Sequence, residues 1–167
     1  LPTDEEVRLH SIHHLPFRNW CFHCVTGKGR EMNHTKQDRD QRGLDEFSVD
    51  YCFPGNEFGR KLTVLVAVER YSGMKSAVVV PSKGSTGDFA AASVVNLMNE
   101  CGNSASTVIL KSDQESSIKF LVDEVCTHRA GAKTILELSP VRSSGSNGIV
   151  ERAVLTIEGQ IRTLKSQ

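Results

Sequence analysis

From Phe47 onward, apolar residues recur first at every second position and then at helical spacing. FSVDYCF (Phe47–Phe53) reads as a strand, and LTVLVAVER (Leu62–Arg70) as a longer one rich in β-branched side chains. Pro54-Gly55-Asn56 between them is turn material, and Ser76–Val80 gives a third strand after a turn at Ser72-Gly73. Connections this short favour an antiparallel meander. Asp88–Glu100 then sets Ala90, Val94, Leu97, Met98 and Cys101 on one helical face. TVILK (Thr107–Lys111) is nearly unbroken in apolar character, as a strand buried on both faces should be. Ile118, Leu121, Val122 and Val125 mark a second helix, and Thr134–Leu138 a fifth strand. A last helix runs from about Asn147 to Lys165, with Val150, Ala153, Val154, Ile157, Ile161 and Leu164 as its stripe. The order β-β-β-α-β-α-β-α predicts an α/β fold, a mixed five-stranded sheet flanked by helices.

Composition adds what precedes this domain. Residues 1–26 concentrate His and Cys and hold the only Trp, whereas 27–45 are polar, charged and without apolar period, as in a linker. The expected organisation is therefore a His/Cys segment (1–26), a linker (27–45) and an α/β core (46–167). No apolar run approaches the roughly 20 residues of a membrane span, so no membrane partner is expected. The polar, acidic start is unlike a signal peptide. Because the chain begins without Met and stops inside a helical pattern, it reads as a C-terminally truncated piece of a longer polypeptide. Lys plus Arg balance Asp plus Glu at 20 each. Zero net charge weighs against a tight grip on nucleic acid by this piece alone, but not against chemistry on it. The five cysteines include one close pair, Cys21 and Cys24, which suits a reducing compartment with a metal site better than a disulfide framework.

Two-metal phosphoryl transfer needs divalent ions about 3.5–4 Å apart, held by a few converging carboxylates. Asp50 lies inside an apolar strand, where an unneutralised charge is costly. Asp113 follows the buried strand at its carboxyl edge, where ligand sites form in α/β sheets. Glu151 falls on the flank of the last helix's stripe. Taken singly, each of the three also reads as a solvated surface charge. Glu115, Asp123, Glu124 and Glu158 are left as surface acids, the last with Arg162 as its helical partner.

The runs SVDY, KSDQE and SPVRSSGSNGIVERAVLTIEGQIR resemble the D,D(35)E signature of retroviral and retrotransposon integrases over about residues 45–165. Here 37 residues separate Asp113 from Glu151. The resemblance implies a ribonuclease H-like fold and a nuclear, magnesium-dependent (or manganese-dependent) enzyme. By the same resemblance Asp50 and Asp113 hold one ion, and Asp50 with Glu151 the second. The implied reaction hydrolyses a phosphodiester near each end of an element DNA and uses the freed 3′-hydroxyl to attack target DNA, without a covalent protein intermediate. DNA and further copies of the chain are the implied partners. Asn147 either contacts a nucleotide or caps its helix. Lys111, Lys119, Arg152 and Arg162 are candidate phosphate contacts, each equally readable as an ordinary surface charge. A DDE-type transposase or nuclease of the same fold, or an inactive domesticated DNA-binding relic, stands as the alternative.

His10-x3-His14 places two imidazoles on one face of a helix, and Cys21-Phe-His-Cys24 follows after six residues. Two His and two Cys suit tetrahedral zinc. His13 and His23 are spare imidazoles, so which histidines ligate is open. Integrases carry an N-terminal His-His-Cys-Cys zinc module, and CVTGKGR is similar to the run after its cysteines in retrotransposon versions. The gap between the pairs is much shorter here than in that family, and leaves no room for its usual helical bundle. Either this is a shortened zinc turn or the first His pair is not the ligand set. In the alternative without metal, Leu15, Phe17 and Trp20 pack on the core as a hydrophobic staple.

Overall fold

Strand β1 (Asp45–Cys52) lies at the centre of the sheet and alternates two kinds of residue. Phe47, Val49 and Tyr51 enter the main apolar core, and successive strand residues point to opposite faces, so Glu46, Ser48, Asp50 and Cys52 belong to the other face. This computed structural model describes residues 2–28, 43–55, 62–84, 88–139 and 147–167. The remaining elements are α1 (Asp4–His13), α2 (Phe22–Lys28), β2 (Thr63–Glu69), β3 (Lys75–Val80), α3 (Asp88–Glu100), β4 (Val108–Ser112), α4 (Ser116–His128), β5 (Thr134–Leu138) and α5 (Gly148–Lys165).

The sheet order is β3-β2-β1-β4-β5. β1 pairs antiparallel with β2, and β2 with β3, while β1–β4 and β4–β5 are parallel. This is the mixed five-stranded α/β sheet expected from the sequence. Every residue of β2 is buried, in keeping with TVLVAVE, whereas the edge strand β3 alternates exposed and half-buried positions. The β2–β3 turn is closed by Glu69, whose buried carboxylate accepts from the Tyr71 and Ser72 amides, and Gly73 supplies the positive φ of 69°. On the core face, α3 contributes Ala90, Ala91, Val94, Leu97 and Met98, and α4 contributes Ile118, Leu121, Val122 and Val125. Arg129, after α4, is buried and donates to the Asn103 and Ser106 carbonyls, Thr134 Oγ1 and the Met98 sulfur, which satisfies most of its donors without an acid.

Contacts divide the chain into two compact units, Gln37–Val154 and Leu1–Lys36 with Leu155–Gln167. The second contains α1, α2 and the C-terminal part of α5. Thr3 caps α1 with its hydroxyl and Glu6 returns the favour to the Thr3 amide, a capping box. α2 extends through Gly27 and Lys28, and β1 begins at Asp45. The rest of the expected linker, 29–42, lies outside the described residues, as do Asn56 and residues 140–146 of the SPVRSSGSNG run. The apolar stripe expected along all of α5 holds only in part. Val150 and Ala153 are buried, but Leu164 is exposed while the small residues Gly159 and Thr163 are buried. No helix among the described residues is long and apolar enough to cross a membrane.

Candidate active site and metal centre

The parallel register of β1 and β4 ends at Ser48 opposite Lys111, and each strand carries an Asp two residues further on. Adjacent strands lie about 4.8 Å apart, so Asp50 and Asp113 are neighbours at the carboxyl edge, on the face away from the main core. Their charges interact. Burial pushes the Asp50 carboxyl up to about 6, a hydrogen bond from the Tyr51 amide (2.7 Å) opposes this, and the Asp113 charge raises it further. Lys83 lowers it and Glu115 raises it, both more weakly.

Asn147, 4% exposed, stands at the start of α5 and donates from Nδ2 to Asp113 Oδ1 at 3.2 Å. Its own Oδ1 is buried without a partner, so its side chain does not cap the helix. The first turn closes through the Glu151 amide on the Asn147 carbonyl at 3.2 Å. Glu151 therefore sits one turn beyond a residue bonded to Asp113, with its side chain exposed. The carboxylates of Asp50, Asp113 and Glu151 do not form a closed set of ligand atoms here. Among the described residues only the His/Cys quartet does.

The four candidate cations differ in surroundings. Lys111 lies between Glu46 (3.1 Å) and Glu137 (3.5 Å), and Glu46, 1% exposed, also holds Arg70. Arg162 pairs with Glu158 (3.9 Å), as its helical spacing predicts, and donates from Nε to the Gly27 carbonyl. Lys119 and Arg152 are exposed. Lys83 escaped the sequence reading because nothing in its spacing marks it. Only the folded chain brings it to the acids, 2.7 Å from Glu115.

In the smaller unit, His10, His14, Cys21 and Cys24 are all buried, and their ligand atoms lie within 4.8 Å of one another. His10 Nε2 is 3.2 Å from the Cys24 sulfur, and His14 Nδ1 is 3.4 Å from that of Cys21. Tetrahedral zinc with two nitrogens and two sulfurs spaces its ligands about 3.3–3.8 Å apart, so this quartet has the size and chemistry to hold zinc. The short gap is bridged by conformation. His14 is the C-cap of α1 in the left-handed region (φ 54°), where the chain leaves the helix toward the Cys pair, and its ring lies 5.2 Å from that of His10. His14 Nε2 meets Gln167 Oε1 at 3.0 Å, and such a partner fixes ring orientation in metal sites. Leu15 and Trp20 are exposed, and Trp20 meets the His10 ring edge-on. Of the spare imidazoles, His13 is exposed and His23 contacts Ser166.

No family model and no curated protein matches this chain. Solved structures do. A chain of the simian T-cell lymphotropic virus intasome, in complex with the PP2A regulatory subunit B56 gamma, matches with a TM-score of 0.51 at 19% identity. The match covers 87% of this chain and 56% of that one, so this chain spans little more than half of its length. The catalytic core domain of BIV integrase matches at TM-score 0.43 and 19% identity, over 72% of this chain and 81% of that chain. That of HTLV-2 integrase, in complex with magnesium, matches at 0.41 and 13%, over 71% and 81%. This chain shares the fold of the simian T-cell lymphotropic virus intasome chain. In this fold Asp50 lies on the central strand β1, Asp113 directly follows the neighbouring strand β4, and Asn147 at the start of the Glu151 helix bonds to Asp113.

Proposed function

We propose that this chain is the catalytic core of a retroelement integrase, preceded by a zinc-binding lead-in. It processes element DNA ends and transfers them into target DNA. The observation that carries this reading is the Asp50–Asp113 pair, two like charges side by side with Asn147 joining the start of the Glu151 helix to Asp113. An uncompensated pair of buried-edge carboxylates is unfavourable, and a divalent cation is the simplest group to relieve it. The residues therefore fit magnesium, with Asp50, Asp113 and Glu151 as its holders. When bound, the ions supply Lewis-acid stabilisation of the attacking and leaving oxygens. The chain's own part is to fix two acids on rigid strands, bring the third on a helix and orient Asp113 through Asn147.

The His10, His14, Cys21 and Cys24 quartet is proposed to bind structural zinc, since all four positions are filled by protein and none is left open for substrate. DNA as substrate, self-assembly and a nuclear location belong to the same reading and rest on the fold together with the acid triad.

The test is a branched, pre-joined DNA substrate incubated with magnesium or manganese, beside Asp113→Asn. Metal-dependent cleavage and rejoining that vanishes in the variant is the expected result. If both proteins are inert, folded and without magnesium affinity by calorimetry, the carboxylates do not form a metal site and the proposal fails.

A further inference from the structure

Lys83 sits in the segment after β3 and is held there from several sides. Its ammonium is 2.7 Å from Glu115 Oε2, 5.2 Å from the centre of the Phe53 ring and 5.9 Å from that of Tyr51. The neighbouring backbone is anchored too, because the Gly84 amide donates to the Tyr51 hydroxyl at 3.5 Å. Gly84 has φ +61°, and a Cβ there would stand 3.2 Å from the Ser117 Cα, so this loop packs closely on the start of α4. A lysine 29% exposed, over two rings and beside an anchored glycine, is far more ordered than a free surface lysine.

The surroundings of Lys83 are acidic. Asp50 feels its charge together with those of Asp113 and Glu115. A phosphodiester at this edge also meets the charge of Glu115, outside the proposed metal-holding set, so a fixed cation beside Glu115 lowers the cost of its approach. Lys83 is placed to provide one. Its present partner, Glu115, is 52% exposed, and ion pairs with so much solvent contact are weak. A phosphate oxygen can therefore displace Glu115 at little cost.

We propose that Lys83 is a phosphate contact for the DNA strand at the acid site, kept in place by Glu115 and the Tyr51 and Phe53 rings until DNA arrives. This rests on the reading of the chain as a DNA-joining enzyme and names the residue that admits the substrate's charge beside the carboxylates. Each phosphate contact releases about 0.9 counterion, so binding and its salt dependence report the contact directly.

The experiment is anisotropy titration of a short fluorescein-labelled DNA duplex in calcium, a divalent ion that takes oxygen ligands as magnesium does, across a series of salt concentrations. Lys83→Ala is expected to weaken binding roughly five- to tenfold at 0.1 M salt and to flatten the slope of log K against log salt by about one. Lys83→Arg keeps the slope, and Glu115→Gln tightens binding. Unchanged melting temperatures establish that the variants fold. If the original chain binds DNA and Lys83→Ala follows the same salt line, Lys83 touches no phosphate and the inference is wrong. If Glu115→Gln weakens binding, Glu115 is not a displaceable holder. If the original chain fails to bind the duplex even at low salt, Lys83 provides no phosphate contact and this inference is wrong, while the joining assay decides the enzymatic reading separately.

Discussion

Burial pushes the Asp50 carboxyl up to about 6 in the folded chain, whereas an aspartate in open solution, with its ordinary value of 3.8, is mostly ionised above that pH. The folded form thus binds the carboxyl proton more tightly. The stabilisation is complete below about 3.8 and is lost as pH rises through about 6. Above that range the ionised carboxylate is a burden on the fold. The full shift would be worth roughly 3 kcal/mol, and solvent screening at this half-buried edge lowers it to about 1–2 kcal/mol. Asp50→Asn should therefore melt a few degrees higher than the original chain at pH 7.5 without divalent ions. The gain should vanish below pH 4, and magnesium should raise the melting point of the original chain only. An Asn variant no more stable at pH 7.5 would show that the carboxylate carries no such burden. Asp50 and Asp113 were legible in sequence because strand position alone sets them at one edge. The Asn147–Asp113 bond and the place of Lys83 were not, since both depend on contacts between distant segments.

Among the elements, α2 and the end of α5 approach more closely than their apolar residues would suggest. A Cβ on Gly27 would lie 2.1 Å from the Thr163 hydroxyl and 2.6 Å from the Thr163 amide nitrogen, so backbone as well as side chain would have to move. Overpacking of this kind costs about 1–3 kcal/mol. Because Cys24 lies on the same short helix as Gly27, Gly27→Ala should displace a zinc ligand. Cobalt titration, followed through the sulfur-to-metal absorption, should show at least about a tenfold loss of affinity. Equal affinity in the variant would mean that the two helices do not meet at these residues. The same contact explains why the stripe drawn along α5 was only partly right. Periodicity counts large apolar side chains, but here Gly159 and Thr163 face inward and Leu164 faces solvent. The sheet strands were easier to place, because β2 and β4 carry continuous apolar runs that neighbours bury on both faces. His14 shows the opposite limit: the HxxxH spacing set its ring beside His10, but its left-handed φ has no signature in that spacing.

At the scale of the whole molecule, zinc should order residues far apart in the chain. The unit that holds the quartet draws its contacts from both ends of the sequence. Gln167 meets His14 and the Ser11 carbonyl, Ser166 meets His23, and Arg162 reaches the Gly27 carbonyl. A lead-in this small buries little apolar surface: Val7, Leu9, Ile12, Leu15, Phe22 and Val25 are all exposed. On the proposed zinc reading its order comes largely from metal binding, which in small zinc units is folding free energy. Strands β1, β2 and β4, by contrast, are buried in a core that contains none of the quartet. Hydrogen exchange read by mass spectrometry, with and without zinc, distinguishes the two. Zinc should slow exchange in α1, α2 and residues 155–167 together, by tenfold or more on the order of a lost local opening. The strands should exchange at their slow rate in either condition. Zinc protection confined to α1 and α2 would separate the C-terminal part of α5 from the metal unit. Protection spreading through β1, β2 and β4 would instead make the sheet depend on a metal that its own core gives it no reason to need.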